Sequence, residues 1–169
     1  MSGALIVTAE LAPADFAWLD ALRRRHYPPE RNQLRAHLTM FHALPPSAEA
    51  EIRRELKRHA AAPAPRAAIA GLMNLGTGVA FRAVSDDLDA IRADLAAHCH
   101  GLLGAQDAAG WRPHITIQNK VKASAARALL ADLEKGFRPR PVGISALALH
   151  RYLGGPWDSL AHYSFRGIR

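Results

Sequence analysis

A single cysteine, Cys99, is the whole thiol complement of this 169-residue chain. That excludes an intramolecular disulfide and a cysteine-built zinc site. Thiol nucleophilic catalysis would rest on Cys99 alone, and its surroundings, Asp94-Leu95-Ala96-Ala97-His98-Cys99-His100, read instead as a helix holding a small buried residue. Long apolar runs are missing too: Ala4-Leu5-Ile6-Val7 falls far short of the about 20 residues a membrane span needs. No basic segment precedes a long apolar stretch, so neither a signal peptide nor a membrane partner is expected, and the expected compartment is the cytoplasm. Acidic residues are outnumbered, 15 against 22 Lys and Arg, for a net charge of +7 with nine histidines uncounted. Such a balance favours anionic partners: nucleic acids, nucleotides or other phosphate esters. The charge forms no concentrated tail and does not choose among them.

What is present suits a globular domain, at 49% apolar and 22% charged residues. The length fits one domain over 1–169 with a substantial core. Strand-like stretches fall at 4–9, 36–42, 67–72, 79–84, 113–119, 143–152 and 162–166. Helical spacing marks 14–27, where Phe16, Leu19 and Leu22 share a face. Further helices are expected at 47–61, with Ser47 as its N-cap, at 85–103 behind the Ser85-Asp86-Asp87 cap, and at 124–135. Each half of the chain thus runs helix, loop, strand and helix. The class is α+β with antiparallel sheets, arranged as two pseudo-symmetric lobes with helices outside and a central cleft.

Both halves place the same small motif on a strand. In the first, His37-Leu38-Thr39-Met40-Phe41, alternation puts His37, Thr39 and Phe41 on one face. In the second, His114-Ile115-Thr116-Ile117-Gln118, it puts His114, Thr116 and Gln118 on one face. One His-x-Thr is commonplace. Two, on strands of like pattern and close to half the chain length apart, are what related half-domains would produce. Two imidazoles can move protons in both directions near neutral pH, and two hydroxyls can hydrogen-bond anionic oxygens, so the pattern suits acid–base chemistry that calls for no metal and no cofactor. Which histidine is acid and which base is open at this level.

Arg35-Ala36-His37-Leu38-Thr39-Met40-Phe41 with Leu44-Pro45, and Arg112-Pro113-His114-Ile115-Thr116-Ile117, resemble the two-histidine (2H) phosphoesterase superfamily. That group includes the LigT-type 2′,5′ RNA ligases and cyclic nucleotide phosphodiesterases. The resemblance implies a bilobal α+β fold with both histidines facing a cleft. It also implies hydrolysis of a 2′,3′-cyclic phosphate or a related nucleotide or RNA-end phosphodiester, with His37, Thr39, His114 and Thr116 at its centre.

Around these, Phe41, Gln118, Arg35, Arg112 and Tyr152 are candidate substrate contacts, with Trp111, Arg31 and Lys120 behind them. The remaining histidines offer no ligand spacing: His98 and His100 are two apart on a helix, and His26, His59, His150 and His162 have no evident partner. His42 is expected on the strand face opposite His37. Three other functions stay open: an RNA- or nucleotide-binding module without turnover, a non-nucleotide phosphoester or phosphonate-pathway enzyme, and RNA ligation by the reverse reaction. A monomer is expected.

Overall fold

The computed structural model describes residues 3–166. The chain opens with β1 (Leu5–Leu11), whose residues are nearly all buried. Pro13 then starts α1 (Pro13–His26) at the position where a missing N–H costs nothing. Asp15 in its first turn, and three arginines and His26 in its last, complement the helix dipole. Next come β2 (Leu38–Leu44), a 3-10 turn at Pro46–Ala48, α2 (Glu49–Ala60), and the hairpin β3 (Arg66–Asn74) with β4 (Val79–Val84). The α3 helix (Asp86–His98) is capped by Ser85, whose hydroxyl accepts from Leu88 N–H at 3.0 Å. After the short α4 (Ala105–Ala108) come β5 (His114–Gln118), α5 (Ala123–Glu134), β6 (Arg140–Tyr152) and β7 (Trp157–Ser164).

The strands described form one seven-stranded sheet in the order β2-β1-β6-β3-β4-β5, with β7 also on β6. Every pairing is antiparallel. The two halves are joined by β6, whose first residues pair with β3 and whose remainder pairs with β1 and β7. The two motif strands, β2 and β5, are the ends of this path, and the sheet brings them back into contact. The core forms where Leu5, Val7, Leu147 and Leu149 of the sheet meet Ile52 and Leu56 of α2 and Leu88 and Leu95 of α3. No helix among the described residues is long and apolar enough to cross a membrane.

Three local expectations change. Ser47 lies in the 3-10 turn and caps nothing, because two preceding prolines fix the chain before α2 begins at Glu49. The helix expected over 85–103 stops at His98, and Gly101 adopts a left-handed φ of 79° that an L-residue resists. The last strand starts at Trp157 rather than at 162, because Gly154 and Gly155 turn β6 straight into its partner.

Candidate active site

The register of the motif strands departs from simple alternation at the same place in both. Val7 pairs with Phe41 but Thr8 pairs with Thr39, so Met40 is an extra residue in β2. Likewise Val79 pairs with Gln118 but Ala80 pairs with Thr116, so Ile117 is extra in β5. Each bulge rotates the residue two past the Thr away from the motif face. Phe41 therefore points with Val7 into the core, fully buried under the Arg92 guanidinium 4.3 Å from its ring. Gln118 turns to the Val79 side, where its Oε1 is buried without a hydrogen-bond partner among the described residues. Neither faces the motif side as the alternation implied.

The two histidines are held by one device. His37 Nδ1 lies 2.6 Å from the Arg35 carbonyl, and His114 Nδ1 lies 2.7 Å from the Arg112 carbonyl. A carbonyl only accepts, so both rings must carry their proton on Nδ1, which leaves each Nε2 available for chemistry. Arg35 and Arg112 thus hold the two rings through their backbones, and Arg35 also lines the groove beside His37. Their side chains are exposed, with that of Arg35 lying 4.7 Å from the Phe16 ring.

Burial is the main force that lowers His37, to a pKa of about 4. Its hydrogen bond to Arg35 opposes this, while the charges of Arg23, His150 and His114 add to it. His37 and His114 therefore lie within electrostatic reach of one another. Trp157 packs edge-on against His37 at 4.9 Å and also meets His150 at 5.3 Å. The aromatic ring against His37 is thus Trp157, and Tyr152 is its cross-strand partner in the β6–β7 pair. His150 in turn lies 3.0 Å from the Thr8 hydroxyl, and burial lowers its pKa despite Glu10. A groove of about 650 Å³ opens beside His37, with Thr8, His150, Trp157, Ser159 and His162 in its walls. A second concavity of about 560 Å³, lined by Trp18, Phe81, Leu133 and Phe137, contains neither motif.

Two arginines, Arg23 buried and Arg92 half-buried, cross between the halves. Arg23 of α1 donates to the Thr116 carbonyl at 3.1 Å and to Asn32 at 2.8 Å. Arg92 of α3 donates to the Met40 carbonyl at 3.2 Å and to the Asp107 carbonyl at 2.7 Å. Each grips the other half's motif strand at or beside its bulge. Burial lowers the pKa of both guanidiniums. Trp111 adds a hydrogen bond from its indole to the Thr39 carbonyl at 3.2 Å, so it positions the first motif. Arg31 and Lys120 are exposed.

The depressed pKa of His37 makes stability depend on pH. The folded ring stays neutral while the unfolded one protonates below about 6.5. The stabilisation is therefore present above pH 6.5 and is lost as pH falls towards about 4. The wild-type chain should lose roughly 2–3 kcal/mol more than His37→Gln over that window, measured by urea unfolding at several pH values. Parallel curves would contradict this.

Comparison with known proteins agrees with the topology. The fold matches a crystal structure of TT0787 of Thermus thermophilus, with a TM-score of 0.65 and 20% identity over 98% of this chain and 100% of that one. It matches E. coli LigT complexed with 3′-AMP at a TM-score of 0.60 and 16% identity, over 99% and 100% of the two chains. LigT complexed with NADP+ gives 0.60 and 17%, over 98% and 99%. A sequence search of curated proteins gives no match. The family description that matches is the 2′-5′ RNA ligase superfamily, over residues 11–156. Those residues take in both motifs and most of the sheet, and the chain belongs to that superfamily of two-histidine, LigT-like phosphoesterases.

Proposed function

We propose that this chain is a phosphodiesterase that opens a 2′,3′-cyclic phosphate or a related nucleotide or RNA-end phosphodiester, using His37 and His114 as its acid–base pair. The observation that carries this is the matched tethering of the two rings, Nδ1 on a carbonyl two residues back and Nε2 free. Binding alone needs no such pairing of titratable groups. His37, neutral at pH 7 with its pKa at about 4, is the base. Its Nε2 takes a proton from water as the water oxygen bonds to phosphorus. The bond from phosphorus to the 2′- or 3′-oxygen breaks, and His114 Nε2–H delivers a proton to that leaving oxygen. Solvent exchange resets both rings. The Thr39 and Thr116 hydroxyls donate to the non-bridging oxygens, where charge accumulates. A nucleotide substrate is supported by the relative LigT, which has been crystallised with 3′-AMP and with NADP+.

The test is hydrolysis of the four 2′,3′-cyclic nucleotides with a chelator present. Turnover should survive the chelator, and kcat/KM should fall on the acid side with a midpoint near the His37 value of about 4. Loss of activity on chelation would overturn the two-histidine scheme. RNA binding by a folded chain that turns over none of the four would favour a binding module.

A further inference from the structure

A second concentration of ionisable side chains lies between α2 and α3, outside the groove beside His37. Glu51, Glu55 and His59 follow one another at four-residue spacing along one face of α2, and Asp94 and His98 do the same on α3. Where the helices meet, the donor atoms gather in two trios that share Glu55, one with Glu51 and His98 and the other with His59 and Asp94. His59 Nε2 lies 2.7 Å from Asp94 Oδ2, and His98 Nε2 lies 3.3 Å from Glu55 Oε2 and 3.9 Å from Asp94 Oδ2. Ligand bonds of about 2.0–2.1 Å around tetrahedral zinc separate its donors by about 3.3 Å, so these spacings bracket that geometry.

His98 carries the more telling feature. While its Nε2 faces Glu55 and Asp94, its Nδ1 lies 3.0 Å from Glu51 Oε1. A carboxylate on one ring nitrogen with the other turned towards further donors is how metal-bound histidines are oriented. Three carboxylates and two imidazoles share this space with the guanidiniums of Arg58, which reaches both Glu55 and Asp94, and Arg54, which pairs with Glu51. The Glu55 side chain is 8% exposed, whereas that of Arg58 is 54% exposed. Arg58 is the cation that now bridges Glu55 and Asp94, and a metal ion would have to displace it.

We propose that Glu55, His59 and Asp94 form a site for a transition-metal dication of the zinc type, and that the ion draws in His98, held by Glu51 in the overlapping trio, as its fourth ligand. Imidazole and carboxylate donors in a four-coordinate set suit zinc or cobalt and reject magnesium and calcium, which require all-oxygen shells. The ion would tie α2 to α3 and so stabilise the fold, independently of the chemistry at the His-x-Thr motifs.

The experiment is calorimetric titration of the untagged, chelator-stripped full chain with zinc chloride, with cobalt absorption spectra and thermal unfolding alongside. One ion per chain is expected, with an intense visible cobalt spectrum and a rise in Tm. His59→Ala and His98→Ala should each weaken binding by about 100-fold, and the milder Glu51→Gln by about tenfold. Arg58→Ala should tighten it by removing the competing cation. The double variant His37→Ala/His114→Ala should bind as wild type does. Binding that follows His37 and His114 instead, or that persists in His59→Ala/His98→Ala, would overturn the proposal. So would the absence of binding by wild type. Far-UV circular dichroism checks that each variant is folded.

Discussion

Alanine at either His37 or His114 is expected to lower kcat/KM for a cyclic phosphodiester by roughly 10²–10⁴-fold, the usual worth of a positioned proton carrier. KM should change little, because both rings act on protons that move only as the reaction proceeds. The double variant should be scarcely worse than either single one, since a pair acting as a unit fails when one member is lost. The variants also separate the roles. Losing the base at His37 should remove the acid limb of the pH profile, whereas losing His114 should leave that limb at about 4. Thr39→Val and Thr116→Val keep the side-chain volume and delete one hydroxyl donor each, so a smaller loss of about 10²-fold or less is expected. A His114→Ala protein with more than about a tenth of wild-type activity would end the acid–base assignment.

The two motifs were legible because strand alternation is local: His, apolar, Thr, apolar says which side chains share a face without knowledge of the partner strand. The bulges at Met40 and Ile117 were not, because a one-residue slip exists only relative to β1 and β4. That is why Phe41 and Gln118 read as substrate contacts and are packed on the far side. Trp157 and His150 escaped for a related reason, as nothing in the sequence says that β6 and β7 extend the sheet alongside His37. The two bridging arginines did leave a trace. Arg23 stands four residues after Leu19, and Arg92 four after Leu88, and both leucines are fully buried. A cation on the apolar stripe of a helix must find acceptors inside, and here it finds the opposite motif strand. The same device in α1 and α3 gives the two halves a symmetry that the residue-by-residue sequence hides.

Asp107 is the other residue whose loss should be severe, and it acts entirely through the first motif strand. Its carboxylate is 1% exposed and accepts from His42 N–H at 2.8 Å and Ala43 N–H at 2.9 Å, with His42 Nδ1 at 3.2 Å. Burial alone would raise its pKa, but the hydrogen bonds from His42 and Ala43 and the His42 charge hold it below the ordinary carboxylate range. These bonds secure β2 just after the bulge that aims Thr39, and Arg92 secures the same bulge from Met40 and the Asp107 backbone. Asp107→Ala strips two backbone donors of their acceptor in a site that solvent scarcely reaches. It should cost about 2–4 kcal/mol and lower the Tm by roughly 10 °C. Asp107→Asn retains one acceptor oxygen and should recover part of that loss. Because Thr39 and Phe41 are set by the same bulge, kcat should fall in Asp107→Ala even where the protein remains folded, while KM changes less. A variant with wild-type Tm and kcat would mean that the bulge is held by the β1 pairing alone, and that α4 takes no part in placing the first motif.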